Sequence, residues 1–444
     1  MTDRLLSFVQ HPLGRRVARA LGLPQPVRLL RRQDAWSDKE LAGRAVLAIA
    51  PGSAEPLPSL LAAIVAQGAG ASAGGSVQSL VVDATGCRDV AALRALFEQT
   101  QLALSRLRPG GRVLVLSSSV AVDASEAACL HAVRGFVRAL AKEIGRRGAT
   151  ANALVLQEGA ASQASLEAAL RFFATDRSAY VSGQVLNWRK TDEPMTPCAA
   201  DTQTPRVAVV TGAAGGIGAA TARRLALDGL RVVCVDVPAA RHPLEALAQE
   251  IGGSLLTVDL AGASAADELA DALRRLGGVD VLVHNAGITR DRTLARMSAA
   301  EWDSVMAVNL SAILAIDAKL DAAGLLNAGA REICLSSISG IAGNAGQTNY
   351  SATKSALIGY VAARATALDG RDATINAIAP GFIETAMTRK MPLMVREAGR
   401  RLNALKQGGT PADVAEAIAF LATPPSRPLT GQVLRVCGQS LLGA

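Results

Sequence analysis

Aromatic residues make up only 3% of this 444-residue chain, and it holds only four histidines. So few aromatics leave little stacking surface for a nucleic-acid platform. The six cysteines, Cys87, Cys129, Cys198, Cys234, Cys334 and Cys437, are scattered without a Cys-x-x-Cys pair, so neither a metal site nor a disulfide framework is indicated. Long hydrophobic runs are missing too: no stretch of about 18 charge-free apolar residues escapes a Gly or Pro break. The first 20 residues carry Asp3, Arg4, His11, Arg15 and Arg16, where a signal peptide needs an apolar core. These absences predict a cytoplasmic protein with reduced, buried thiols and with neither membrane nor nucleic acid as partner. Charge is sparse at 19%, and the net +8 comes from scattered basic residues rather than runs. It reads as solubility first and as attraction for an acidic or phosphorylated substrate second.

What the chain does have is apolar residues, which make up half of it, and length enough for two cores, since single cores stop growing near ~250–300 residues. Short Val/Leu/Ile/Ala runs alternate with helical patterns, as in doubly wound parallel sheets. The polar stretch between Trp188 and Arg206 carries three prolines and no period. This divides the chain into residues 1–190, a linker at 191–205, and residues 206–444.

The two parts repeat each other. Ala149–Ala153 recurs as Ala373–Ala377, Val113–Ser118 as Glu332–Ser337, and Ser182–Leu186 as Thr430–Leu434. The expected fold is therefore α/β, two tandem Rossmann-like domains, the first a degenerate, flavodoxin-like copy. The second copy has about 24 extra residues, chiefly Phe382–Gly409, placed after a strand end where open α/β sheets bind ligands. They read as a substrate lid, against the alternative of an ordinary surface excursion.

The chemistry lies in the second copy. The strand Arg206–Val210 runs into Thr211-Gly-Ala-Ala-Gly-Gly-Ile-Gly218 and then into a helical stretch, the order of a dinucleotide fingerprint. Gly212 allows the tight turn, Gly216 and Ile217 bring backbone to the pyrophosphate, and Gly218 lets the helix pack closely. The next strand ends at Asp236, where an acid accepts from ribose hydroxyls and repels a 2′-phosphate, which selects NAD(H). Asp259 follows a strand end near the adenine, and Asn285-Ala286-Gly287 lets the chain pass close to the cofactor. Ser337 ends a strand, and Tyr350 and Lys354 share a helix face. A nearby ammonium lowers a phenol pKa, so Tyr350 can protonate a carbonyl oxygen while Ser337 hydrogen-bonds it. Asn309 completes a proton relay to Lys354 through water.

With these motifs the second copy resembles the short-chain dehydrogenase/reductase family, and within it the bacterial 3-oxoacyl-[acyl-carrier-protein] reductases. The resemblance rests on T-G-x-x-x-G-x-G, N-A-G, Asn309, Ser337, Y-x-x-x-K and P-G-F-I-E-T (Pro380–Thr385) in family order. It implies that Pro380, Gly381, Ile383 and Thr385 meet the nicotinamide and pyrophosphate, and that the enzyme serves fatty acid biosynthesis. Gly215 stands where NADP-using relatives commonly have Arg. The two-copy arrangement is similar to the high-molecular-weight form, which implies a 3-oxoacyl thioester on coenzyme A or acyl carrier protein as substrate and a homodimer. Arg371 matches a carrier-protein docking position, or is simply a solvated arginine. Two alternatives stay open, a dehydrogenase of another alcohol or ketone and a non-catalytic nucleotide-binding scaffold.

The first copy lacks this machinery. Its first strand, Ala45–Ala50, runs into Pro51–Pro58, whose prolines cannot cradle a pyrophosphate. Ser118 remains, but Glu126 and Leu130 fall at the Tyr and Lys positions. The expectation is a structural or interaction domain whose helix Cys129–Glu143 packs against its counterpart, or else a solvent-facing accessory. The apolar Leu441–Ala444 is expected to dock on a protein surface.

Overall fold

A computed structural model of the chain describes residues 3–71, 75–191, 205–389 and 391–440. The linker at 191–205 lies outside them except for its two ends, as do Cys198 and the expected docking of Leu441–Ala444. Among the described residues no helix is long and apolar enough to cross a membrane. The five described cysteines are buried and unpaired.

The chain forms two parallel sheets. The first holds β1 (Ala45–Ile49), β2 (Gly70–Ala71), β3 (Val77–Asp83), β4 (Leu107–Ser118), β5 (Thr150–Leu156) and β6 (Val185–Trp188), in the order β2-β1-β3-β4-β5-β6. That is the flavodoxin-like order. The second holds β7 (Val207–Thr211), β8 (Arg231–Asp236), β9 (Ser254–Thr257), β10 (Val279–His284), β11 (Leu326–Leu335), β12 (Thr374–Pro380) and β13 (Val433–Val436), ordered β13-β12-β11-β10-β7-β8-β9. Its strand order reverses between β7 and β10, and such a switch point opens a ligand crevice at the strand ends. Both sheets have helices on both faces, so their central strands are buried along most of their length rather than on alternate residues. β4 and β11 each bury an arginine, Arg112 and Arg331, that donates to the carbonyls of the two residues before it.

The two copies meet about a pseudo-twofold axis. The helices Gln163–Phe173 and Pro411–Ala422 place equivalent residues face to face, Phe172 on Phe420, with ring centroids 4.5 Å apart and planes 3° from parallel. The edge strands β6 and β13 exchange equivalent bonds: Gln432 Oε1 accepts from Asn187 N at 2.6 Å, and Gln184 Oε1 accepts from Arg435 N at 3.0 Å. Buried Arg177 of the first copy reaches Glu416 of the second at 3.2 Å and stacks 4.3 Å from the Trp36 ring.

One apolar core cluster runs from Leu60 through Phe172 to Phe420 and Val436, which rules out a solvent-facing accessory. The expected partner helix is also corrected. The helix read over Cys129–Glu143 spans Ala124–Gly145, and a 640 Å³ cleft, lined by Arg138 and Lys142 on one side and Ser355 and Ile358 on the other, separates it from Thr348–Ala367. The apolar residues that seal the joint lie instead on the helices that carry Phe172 and Phe420.

Candidate active site

β7 delivers Thr211 to a turn that no L side chain would adopt easily. Gly212 has φ +67° and Gly216 φ +57°, and the helix Gly216–Leu227 then starts with Gly215 extended at its N-cap. No side chain caps this helix, and a helix N-terminus without such a partner favours an anion. Gly218 and Ile217 lie in the first turn. Closeness at Gly218 is extreme: a Cβ there would sit 2.1 Å from Gly212 O.

Asp236, the last residue of β8, turns back on this loop. Its carboxylate accepts from Ala214 N at 2.9 Å and Val237 N at 2.8 Å. Asp259 sits beyond β9, exposed, and accepts from Ala261 N. Thr211 Oγ1 accepts from both Asn285 N and Ala286 N at 3.0 Å, while Asn285 Nδ2 donates to Thr211 O and Gly212 O. The glycine loop and the Asn285–Gly287 turn are thereby fastened to each other. Thr211 escaped the sequence reading, although it opens the motif.

Asn309 is fully buried in a π-helical turn, Ala307–Ser311, inserted between the helices Ala299–Met306 and Ala312–Ala322. Such turns are frequent at functional sites. Its amide is occupied: Oδ1 accepts from Ile288 N, and Nδ2 donates to Ile288 O and to Thr353 Oγ1. Gly287 lies between Asn309 and the lysine, since a Cβ there would meet Lys354 Nζ at 3.3 Å and Asn309 Oδ1 at 3.4 Å.

Ser337 caps the short helix Ile338–Ala342 and accepts from Ser339 N at 3.1 Å. Its hydroxyl also acts on the Tyr350 phenol, pulling the phenol's pKa down. Tyr350 and Lys354 lie one turn apart on Thr348–Ala367, with Lys354 Nζ 5.6 Å from the ring centroid. The ammonium donates to Leu335 O at 2.7 Å, and the neighbouring Ser336, which the sequence reading passed over, ties the helix down by donating to Lys354 O at 2.7 Å.

The electrostatics correct one expectation. Burial raises the Tyr350 phenol above its ordinary value, although Ser337 pulls it down, and burial drives Lys354 down to about 8. Desolvation disfavours both charged forms before either can stabilise the other.

Pro380 ends β12, and Gly381 N donates to Val436 O. Beyond it Ile383 is buried, and Thr388 Oγ1 donates to its carbonyl. Thr385 holds Thr388 through its own N–H at 2.9 Å, and its methyl approaches the glycine loop, 3.8 Å from where a Gly216 Cβ would stand. The extra residues continue as the helices Ala386–Arg389 and Leu393–Arg401, pinned by Arg400 on Glu384 at 2.5 and 2.8 Å. Met387, Leu393, Met394 and Val395 stay exposed on them. Every catalytic or cofactor-binding candidate read from the second copy, apart from exposed Asp259, therefore lies at or beside the strand ends of the second sheet. Arg371, outside it, pairs with Asp321 at 3.1 Å.

Comparison with known proteins places similarities on this same half. A family model described as enoyl-(acyl carrier protein) reductase matches residues 212–438. A 3-oxoacyl-[acyl-carrier-protein] reductase of Thermotoga maritima is 38% identical over 239 residues, which are 52% of this chain and 96% of the relative. Nodulation protein G of Rhizobium sp. is 40% identical over 239 residues, 53% and 96% of the two chains. Among solved structures, a short-chain dehydrogenase/reductase titled glucose/ribitol dehydrogenase, from Brucella melitensis, is 31% identical. It covers 52% of this chain and 95% of its own, with a TM-score of 0.50.

Proposed function

The chain belongs to the short-chain dehydrogenase/reductase family and is an oxidoreductase with a nicotinamide cofactor, and we propose that it reduces a 3-oxoacyl thioester, on coenzyme A or acyl carrier protein, with NADH. The observation that carries this reading is Tyr350 one helical turn from a buried Lys354, whose ammonium lies against the Asn285–Gly287 turn that is fastened to the glycine loop. The names of the 3-oxoacyl-[acyl-carrier-protein] reductases among its relatives support the substrate class.

The residues present fit a dinucleotide. The uncapped helix start at Gly216 suits a pyrophosphate, and Lys354, with one of its three donors on Leu335 O, keeps two for ribose hydroxyls. The Asp236 carboxylate, already holding the loop, has lone pairs left for the adenosine ribose and repels a 2′-phosphate. Bound NADH would supply the hydride. Ser337 and Tyr350 would hold the substrate carbonyl oxygen between two hydroxyls, and Tyr350 would give it the proton. Lys354 would hold Tyr350 in a positive field, and Asn309 would fix the Ile288 backbone beside them.

In the same reading residues 1–190 form a half without cofactor or catalytic groups that stands where a second subunit would, residues 206–444 are the ketoreductase, and the protein works in the cytoplasm as a homodimer. The test is oxidation of NADH and, separately, NADPH with acetoacetyl-coenzyme A, beside a Tyr350→Phe control. The expected result is turnover with NADH that falls about 10²–10⁴-fold in the control. NADH binding without turnover on this or other 3-oxoacyl thioesters would overturn the substrate, and preference for NADPH would overturn the role given to Asp236.

A further inference from the structure

Taking charges out of water costs several kcal/mol unless partners repay it, and apolar residues of similar volume often serve the fold as well. A buried ionic cluster that no chemical step uses therefore needs a reason, and one lies behind the crevice. His284, the last residue of β10, meets Asp317 of the helix Ala312–Ala322 at 2.7 Å, both 1% exposed. The other Asp317 oxygen accepts from the Tyr360 hydroxyl at 2.6 Å. One turn along the helix of Tyr360, Arg364 grips Glu332 of β11 at 2.7 and 2.9 Å, reaches Asp321 at 2.6 Å, and lies 3.8 Å from Asp317. Burial pushes the Asp317 carboxyl up, but His284, Arg364 and Tyr360 together hold it below its ordinary range. Burial and the nearby Asp317 raise Glu332.

The first copy is an internal control. By strand pairing His284 corresponds to Val82 and Glu332 to Val113, and by the helix register Tyr360 and Arg364 correspond to Phe136 and Leu140. The helix Val90–Leu104, in the place of Asp317's helix, buries Ala92, Leu96, Thr100 and Ala103 and no carboxylate. The same sheet thus closes over an apolar cluster in the half that has no Tyr/Lys pair. In the other half the ionic cluster touches three functional elements at once. His284 directly precedes Asn285–Gly287, Asp317 lies on the helix that continues from the Asn309 turn, and Tyr360 shares a helix with Tyr350 and Lys354.

We propose that His284, Asp317 and Tyr360 are positioning residues that hold the Asn285–Gly287 turn, the Asn309 turn and the catalytic helix in one register for cofactor and substrate. The inference rests on the NADH reading above. Its test copies the first half into the second: His284→Val, Asp317→Thr, Glu332→Val, Tyr360→Phe and Arg364→Leu together, measured by thermal midpoint, NADH fluorescence titration and turnover. The midpoint should hold while the NADH Kd rises about tenfold and kcat falls as much, since small misplacements near reacting groups cost rate steeply.

Two single changes cover a graft that fails to fold. His284→Val should act mainly on the NADH Kd, and Tyr360→Phe, which removes one hydroxyl, mainly on kcat. A lower midpoint with unchanged Kd and kcat in both singles would overturn the proposal. Wild-type protein that binds no NADH would overturn the cofactor reading instead, in the same titration and before any variant is made.

Discussion

The two halves start their sheets alike and part at the first loop. After β7 the chain enters a glycine turn whose helix begins with unengaged N–H groups. After β1 it enters Pro51–Pro58, and the helix Pro58–Ala66 begins on a proline that has no N–H to give. The amide of Leu57 is consumed by Asp83, which accepts it at 2.8 Å, and the Asp83 carboxylate, 1% exposed, stands at the end of β3. A buried carboxylate held there opposes any second anion. At the Tyr and Lys positions stand Glu126, held by Arg88, and buried Leu130. Yet Arg112 and Arg331, Phe172 and Phe420, and Gln184 and Gln432 match in both position and role. Packing and edge pairing persist through a core that tolerates exchange, whereas a binding loop is lost with a few prolines.

The comparison is broken most severely at the joint. If Phe172 and Phe420 are equivalent across the pseudo-twofold, Phe172→Ala and Phe420→Ala should each cost about 3–5 kcal/mol, since both leave a cavity in one continuous core. Denaturant unfolding measures this. A cost confined to one of the two would show that the halves only lean on each other.

The next largest effect separates the two strand-end serines. Ser337→Ala should lower kcat about 10²-fold, the scale of losing one hydrogen-bond donor to a developing oxyanion. Ser118→Ala should leave steady-state kinetics unchanged, because Ser118 Oγ bonds the Val120 backbone within its own turn. A kinetic effect at Ser118 would return chemistry to the first half.

Much of this contrast is legible in the sequence, and for identifiable reasons. The repeats at Thr150/Thr374 and Gly183/Gly431 sit on strands and turns whose local chemistry is self-contained, so the two sheets and the extra residues after Pro380 can be read directly. Tyr350 and Lys354 can be read because helical spacing fixes their common face. β11 begins at Leu326, earlier than the Val/Ile/Leu pattern suggests, because Leu326 pairs with Val279 of β10 ahead of a register shift that takes up Asn327-Ala328-Gly329, which has little strand propensity. The π turn at Asn309, the grip of Asp236 on Ala214 and the stacking of Phe172 on Phe420 are tertiary, and no residue period announces them. Nor does spacing report desolvation, so the Tyr350/Lys354 spacing predicts a lowered phenol where burial raises it.

That burial gives a pH test with two opposite signs. Lys354 is held at about 8 in the folded protein, against ~10.4 in an unfolded chain. The unfolded state binds the extra proton between those values, so this residue's contribution to stability is poorest below pH 8 and improves as pH rises from there to about 10.4. Affinity for NADH should move the other way, falling as pH rises through about 8, because the ribose loses an ammonium donor. The difference between wild type and Lys354→Met, followed from about pH 6.5 to about pH 9.5, isolates both trends. Wild-type and variant curves that run parallel would mean that Lys354 keeps its charge throughout, and Leu130, at the equivalent place in the first half, has no proton to contribute to either.

The smallest expected effect concerns Asp236, and it sharpens the loop comparison because each half places a carboxylate at a strand end beside its first loop. Asp83 closes a loop with three prolines whose helix starts without an N–H, taking up the Leu57 amide, whereas Asp236 steadies one whose helix start has no side-chain cap, through Ala214 N at 2.9 Å. Asp236→Ala should therefore do two things at once. Loss of the loop bond should cost about 1 kcal/mol of stability, and loss of the negative charge should shift the NADPH-to-NADH preference about tenfold toward NADPH, the scale of one charge-assisted contact. Gly215→Arg in the same background should carry the preference further, since the space around Gly215 is open to a side chain within 4 Å. Preference unchanged by both substitutions would leave Asp236 with only the structural half of its role, and the two carboxylates would then differ in what their loops can bind rather than in what they themselves recognise.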